Sequence, residues 1–387
     1  TDLKIDAVEI DPLIARLGKE YHPNSPYSNE KLNLIIEDAR TFIKNTKNKY
    51  DLIQYGLLDS LTNLSGRGGI RLDSYVYTVE SFREAREKLS NEGFIYLSFF
   101  IQTPELGFKI FSMLKKAFNG ITPIVMKDKE NDRYIFVISE NMDQFEPHKL
   151  SRKGITTFEV TEVFQNLSSK TKIDLSTDDW PFFYMTKRVY PLTYLLLLSL
   201  LFLSSLFYIK KLTKISKKNF SVTCFFLGAG FMLLETKGIT ELAKIYGSTW
   251  MVVSVIIVSV LLMAYFANLV IIKKFNISHN QIYLFLIASL LCSFLLSFTT
   301  YFDESIFLPK LIIPFFLTFP IFFSGLAFSN ELSSLDSAST ALSSNILGAM
   351  FGGFLEYNSM YFGLKFLYLL AIILYFASYI FSKKNKN

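Results

Sequence analysis

Cysteine and histidine are scarce in this chain of 387 residues, which has two of the first and three of the second. Cys224 and Cys292 both lie inside apolar runs, so neither a disulfide framework nor a cysteine-based metal site is indicated. His22, His148 and His279 are too scattered along the chain to form a metal site or a catalytic triad, and no metal is expected. No secretory signal pattern is visible. Glycine is missing from the eight residues that precede Glu9, and the first residue is Thr. In nucleotide-binding α/β folds a glycine-rich turn sits roughly 20 residues before such a carboxylate. The expectation is therefore a fragment whose first strand and glycine loop lie upstream.

Charge is distributed unevenly. Residues 1–188 carry 26 Lys+Arg and 27 Asp+Glu, whereas residues 189–387 carry 14 and 7 among long apolar runs. The positive surplus sits in short clusters between those runs. This suits a membrane protein near an anionic leaflet rather than a nucleic-acid binder, whose basic residues line a folded surface. A hydrocarbon core of about 30 Å needs roughly 20 apolar helical residues, and the candidate spans are 190–209, 220–238, 249–272, 281–299, 307–328, 340–355 and 360–382. Seven spans are counted, with six as the alternative. Gly348 and Gly352 give the small-xxx-small spacing of closely packed helices.

Between the second and third spans stand Glu235, Lys237, Glu241 and Lys244. They read as an interfacial helix with solvated charges; the alternative is a buried polar network or pathway. Lys210 to Lys218, Lys273–Lys274 and Lys383 to Lys386 fall on one side if seven spans alternate, and that side should be cytoplasmic. A cytosolic nucleoside argues instead for a cytoplasmic soluble domain on an inner (plasma) membrane, which is the preferred reading.

Residues 5–138 read as a βα series. Strands are expected at 5–10, 32–36, 51–55, 94–99 and 134–138, with helices starting at 13 and spanning 39–47, 80–89 and 104–117. This alternation predicts a mostly parallel sheet whose ligand lies beyond the strands' carboxyl ends. Glu9, Asp38 and Gly56–Asp59 fall at such ends. A carboxylate accepts from a ribose diol or an exocyclic amine, but Asp38 before Ala39-Arg40 also suits a helix cap.

Val-Glu-Ile-Asp-Pro (8–12), Glu-Asp-Ala-Arg-Thr-Phe-Ile (37–43), Tyr-Asp-Leu-Ile (50–53), Leu-Asp-Ser (58–60) and Tyr-Thr-Val-Glu-Ser-Phe (77–82) together resemble the spermidine synthases, or polyamine aminopropyltransferases. The resemblance covers about residues 5–140. Thr-Asp-Asp-Trp-Pro-Phe (177–182) and Gly-Ser-Thr-Trp (247–250) are similar to motifs of that family's membrane-fused branch. It implies a Rossmann-like domain of the class I S-adenosylmethionine-dependent transferase type over 1–140, lacking its first strand and glycine loop. A linker over 141–188 then leads to an all-α transmembrane bundle over 189–387. It also implies decarboxylated S-adenosylmethionine as a substrate, with Glu9 on the ribose hydroxyls and Asp38 on the adenine amine.

The family's catalytic loop, Asp-Ser-x-Asp-Pro, aligns its first, proton-accepting Asp with Gly56 and its second with Asp59, while Ser60 replaces the Pro. Asp59 is then the expected catalytic carboxylate. The glycine-rich Asn63–Arg71 is either a gatekeeping loop or a plain connector. Tyr75 and Tyr77 either stack on substrate or pack, with packing favoured. Asp178 and Asp179 either serve a cationic amine site or form a capped turn. The expected partners are a lipid bilayer and a small amine or polyamine, with no nucleic acid. The alternatives are a membrane transport or sensor protein with a non-catalytic nucleotide-fold domain, and a small-molecule methyltransferase using S-adenosylmethionine.

Overall fold

The structure, a computed structural model, describes residues 3–56, 58, 75–101, 103–129, 133–143, 145, 157–168, 172–190, 192–213, 220–247, 250–273, 275, 277–298, 307–335 and 337–384. They form two compact units, Thr1–Arg188 and Val189–Asn387.

In the first unit β1 (Ile5–Glu9) runs into α1 (Pro12–Tyr21), whose start is set by Pro12 in the first turn and by Asp11, which accepts from the Leu13 N–H at 2.7 Å. Next come β2 (Leu32–Ile36), α2 (Ala39–Asn45) and β3 (Tyr50–Gly56), then α3 (Val79–Glu87) capped by Thr78. The unit continues through β4 (Leu89–Phe100), α4 (Pro104–Ala117), β5 (Ile124–Asp128), β6 (Arg133–Ser139), β7 (Thr157–Glu159) and α5 (Thr161–Ser168). Phe82, Ile95, Leu97, Ile110, Met113, Phe136 and Ile138 are fully enclosed and form the core between the sheet and the helices.

Among the described residues the strands make two sheets, β1-β2 and β3-β4-β6-β5-β7. The expectation of a mostly parallel sheet needs correction. β1–β2 and β3–β4 are parallel, but β4–β6, β5–β6 and β5–β7 are antiparallel. The link from β5 to β6 is only residues 129–132, too short for the crossover that parallel strands need. β5 and β7 were not expected from sequence at all. Between β1 and β3 the described tie is a side-chain bond, with the Tyr50 hydroxyl donating to Asp6 Oδ2 at 2.7 Å. Around it Ile5, Ile10, Leu13, Ile14, Ile36 and Leu52 are exposed.

The second unit is helical: α6 (Leu192–Thr213), α7 (Val222–Tyr246), α8 (Trp250–Ile272), α9 (His279–Leu296), α10 (Phe307–Ser334), α11 (Ala338–Leu355), the short α12 (Ser359–Phe362) and α13 (Phe366–Lys384). Among the described residues, four stretches are long and apolar enough to cross a membrane, judged by length and composition: Val222–Lys244, Val252–Ile272, His279–Leu296 and Phe366–Lys383. Leu192–Tyr208 is apolar but shorter. The last span starts later than expected, because Gly363 at φ 95° ends α12.

Backbones touch where α7 meets α11. A Cβ on Gly348 would lie 1.9 Å from the Phe225 carbonyl oxygen, and one on Gly228 would lie 2.0 Å from that of Asn345. α7 also runs to Tyr246 rather than ending near 238. Its charged segment is not a solvated interfacial helix. Lys237 is 1% exposed and pairs with Glu241, which also accepts from Lys244 at 3.4 Å. The i, i+4 and i, i+3 spacings let these charges offset one another inside the bundle, and the Lys237 ammonium lies 5.3 Å from the Tyr368 ring centroid.

Candidate functional site

Two of the expected polar residues, Glu9 and Asp38, stand at the carboxyl ends of the parallel β1 and β2. Glu9 closes β1 directly beside Ile36 of β2, and Glu37 donates its N–H to the Glu9 carbonyl at 3.1 Å. Asp38 follows one residue later, so the two carboxylates stand at adjacent strand ends. The Glu9 side chain is half-buried, and its Oε1 accepts from the Asp11 N–H at 3.0 Å. Asp38 is buried and caps α2, its Oδ1 accepting from the Thr41 N–H at 3.0 Å. The cap seen as one alternative in the sequence is thus present.

β3 ends at Gly56, paired with Ser98 of β4. Among the described residues, a Cβ built on Gly56 meets the Gln54 side chain, at 3.9 Å. Asp59 and the glycine-rich Asn63–Arg71 lie outside the described residues.

Arg40, which sequence reasoning left unassigned, organises this end of the unit. Its buried guanidinium donates to both oxygens of Asp178, at 2.9 Å each, and to both of Glu84, at 2.6 and 3.1 Å. It also donates to the Tyr75 carbonyl at 2.7 Å and to Thr78 Oγ1 at 2.9 Å. Burial works against its charge, but Asp178 and Glu84 outweigh that and hold the guanidinium protonated. Arg40 therefore ties α2, the start of α3 and the Thr177–Phe182 segment into one body.

Asp178, expected at an amine site, is thus engaged by Arg40 and also accepts from Thr78 Oγ1 at 2.8 Å. Its N–H donates to Glu80 Oε2 at 3.0 Å. Burial first, and then Asp178, push the Glu80 carboxyl above its usual range. Asp179 is half-buried in the same turn.

Tyr77 is 2% exposed, stacked on Phe183 at 4.7 Å and edge-on to Phe99 at 5.6 Å. The substrate-contact alternative for Tyr77 is corrected, because its ring belongs to the aromatic core. Lys109 of α4 is fully buried as well. Its ammonium donates to the carbonyls of Phe182 at 2.8 Å and Met185 at 2.6 Å and lies 4.7 Å from the Trp180 ring centroid. Burial lowers its pKa to about 7. No group of three or more His, Cys, Asp or Glu among the described residues is arranged to hold a metal ion.

Residues 3–129 match the spermine/spermidine synthase domain. Polyamine aminopropyltransferase 2 of Hyperthermus butylicus is 28% identical over 160 residues, 39% of this chain and 48% of that one. The polyamine aminopropyltransferase of Buchnera aphidicola subsp. Acyrthosiphon pisum is 52% identical over 52 residues, 13% of this chain and 18% of that one. The solved spermidine synthase of Thermotoga maritima aligns with a TM-score of 0.31 and 16% identity, over 43% of this chain and 56% of that one. The chain spans about half, or less, of the length of the curated relatives it matches. The first unit is an α/β domain whose residues 3–129 resemble the spermine/spermidine synthase domain.

Proposed function

We propose that the full protein is a membrane-anchored transferase that moves an aminopropyl group from a decarboxylated S-adenosylmethionine-type nucleoside to a small amine. The observation that carries this reading is the synthase-domain match over residues 3–129, coinciding with Glu9 and Asp38 at adjacent parallel strand ends. In this reading Glu9 accepts from the ribose diol and Asp38 from the adenine amine. The amine nitrogen attacks the propyl carbon, the carbon–sulfur bond breaks and a neutral thioether leaves. The nitrogen's surplus proton needs a carboxylate, and Asp59 is assigned that role because Gly56 cannot fill it.

Arg40, Glu84 and Asp178 act as a rigid brace in this reading, and the acidic surplus they form with Glu80 and Asp179 favours a cationic amine nearby. The apolar helices of the second unit hold the protein in the bilayer, with the first unit at the cytoplasmic face where the nucleoside is made.

The test is product analysis by mass spectrometry, with purified full-length protein, decarboxylated cofactor and a panel of di- and triamines. Transfer to at least one amine is expected. Glu9→Gln should weaken nucleoside binding by roughly 1–3 kcal/mol; unchanged calorimetric affinity removes Glu9 from the site.

Two specific observations favour other readings. Gly56 in place of a proton acceptor suits a methyltransferase using S-adenosylmethionine, and the buried charges of α7 suit a transport protein with a sensing domain. Nucleoside binding without transfer to any amine would turn the assignment toward them.

A further inference from the structure

α8 runs 23 residues without an Asp, Glu, Lys or Arg, and Lys273 follows directly on its last residue. The Lys273 N–H donates to the Leu269 carbonyl at 2.9 Å, which continues the helical bonding by one residue. Met263, Phe266, Val270 and Lys273 therefore recur at helical spacing along one face. From Met263 to Lys273 this face rises about 15 Å, at 1.5 Å per residue. It is apolar along its length and charged at one end.

These four residues line a groove of about 370 Å³ between α8 and α10. Phe319 and Phe322 of α10 line it from the other side, their rings stacked at 6.0 Å. The groove opens outward, since Phe266 and Phe319 are both exposed. The two helices are held together close by. A Cβ on Gly325 would lie 3.0 Å from that of Ala267, and the Ser329 hydroxyl donates to Asn268 Oδ1 at 2.9 Å. The groove is thus a gap between helices that are packed, and its lining supplies a single charge. The Lys273 side chain is exposed, and among the described residues its ammonium pairs with no carboxylate. A ligand that fills this groove must be apolar over most of its length and negative at one end.

We propose that the groove is a binding site for an anionic phospholipid, with one acyl chain along α8 and the phosphate on the Lys273 ammonium. The inference rests on the reading that the helical unit is embedded in a bilayer. The apolar stretch Val252–Ile272 ends one residue before Lys273, so the ammonium stands where a spanning helix leaves the hydrocarbon. A phospholipid has the same polarity, with its charge outermost and its chain directed inward. Lys274 follows in the sequence and adds a second positive charge. A headgroup of net negative charge is therefore preferred over a zwitterionic one.

The test begins with recovery of full-length protein in carbonate-washed membranes; absence there overturns the lipid site together with the anchoring. Protein extracted in detergent is then titrated with phosphatidylglycerol and with phosphatidylcholine of identical acyl chains. Bound lipid is counted by native mass spectrometry, with neither nucleoside nor amine present. Phosphatidylglycerol should bind severalfold more tightly. Lys273→Gln should bring it down to the phosphatidylcholine level, whereas Lys273→Arg should keep the preference. Val270→Phe narrows the groove and should weaken phosphatidylglycerol binding severalfold with Lys273 in place. If that variant does not extract intact, Phe319→Ala at an exposed position takes its place with the same expectation. Equal affinity for the two lipids in a membrane-integrated protein overturns the lipid site alone. So does a preference that survives Lys273→Gln, wild-type binding in the groove variant, or a dimer that carries no lipid.

Discussion

Gly56 and Asp59 carry the sharpest chemical question, because the family pattern asks for a carboxylate at both positions and this chain supplies one. Under the proposed function, replacing Asp59 by Asn keeps the shape and removes the proposed proton acceptor, so turnover should drop by about 10²–10⁴-fold while nucleoside binding persists. Gly56→Asp is the complementary variant: among the described residues the nearest atom to its Cβ is on Gln54, at 3.9 Å, and the variant should raise the transfer rate. Steady-state kinetics on both variants checks the pair, and wild-type turnover in Asp59→Asn removes Asp59 from the catalytic role. Glu9 and Asp38 were legible in sequence because each ends an apolar run that becomes a strand. Arg40 was not, because its partners Tyr75, Thr78, Glu84 and Asp178 stand 35 to 138 residues away and no local pattern announces them. For Tyr77 the sequence favoured packing but left stacking open, because an extended aromatic beside a loop reads alike for both. Its neighbours Phe99 and Phe183 decide the matter.

Among the elements, α4 spans the residues its sequence pattern predicts, since Pro104 starts it and the apolar period runs to Ala117. β5 escaped because its apolar core is only Ile-Val-Met, and its pairing with β6 and β7 is what makes it a strand. α7 was cut short in the sequence reading because its charges looked solvated, and only the neighbouring helices show them enclosed. Gly348→Ala tests the α7–α11 contact. A Cβ against the Phe225 carbonyl must push the helices apart, and a loss of about 1–3 kcal/mol should appear in detergent unfolding curves. An unchanged curve would mean the contact is loose.

Lys109 gives the first unit a pH signature. Its folded pKa is lowered to about 7 against about 10.4 in the unfolded chain. The unfolded state therefore binds more protons between those values, and stability rises with pH by up to about 1.4 kcal/mol per unit across that window. The burial penalty is complete below pH 7 and gone above pH 10.4. Lys109→Met should remove this slope in denaturant titrations from pH 7 to 10. A slope that persists in the variant assigns it to another group.

At the scale of the whole molecule, the change in charge and hydropathy near residue 188 announced two units, and the structure divides there. Sidedness is less plain. The lysine clusters at 210–218, 273–274 and 383–386 favour one orientation, whereas a nucleoside made in the cytosol demands the other. Long domains are weakly governed by the lysine bias, and the transferase reading stands or falls on which face carries the first unit. Sealed membrane vesicles containing the protein, prepared inverted and right-side-out, decide this directly when labelled decarboxylated cofactor and a diamine are added outside. A membrane-anchored transferase with its α/β unit in the cytoplasm should yield labelled aminopropylated amine in the inverted vesicles alone. Product in neither preparation, or only in right-side-out vesicles, would contradict it.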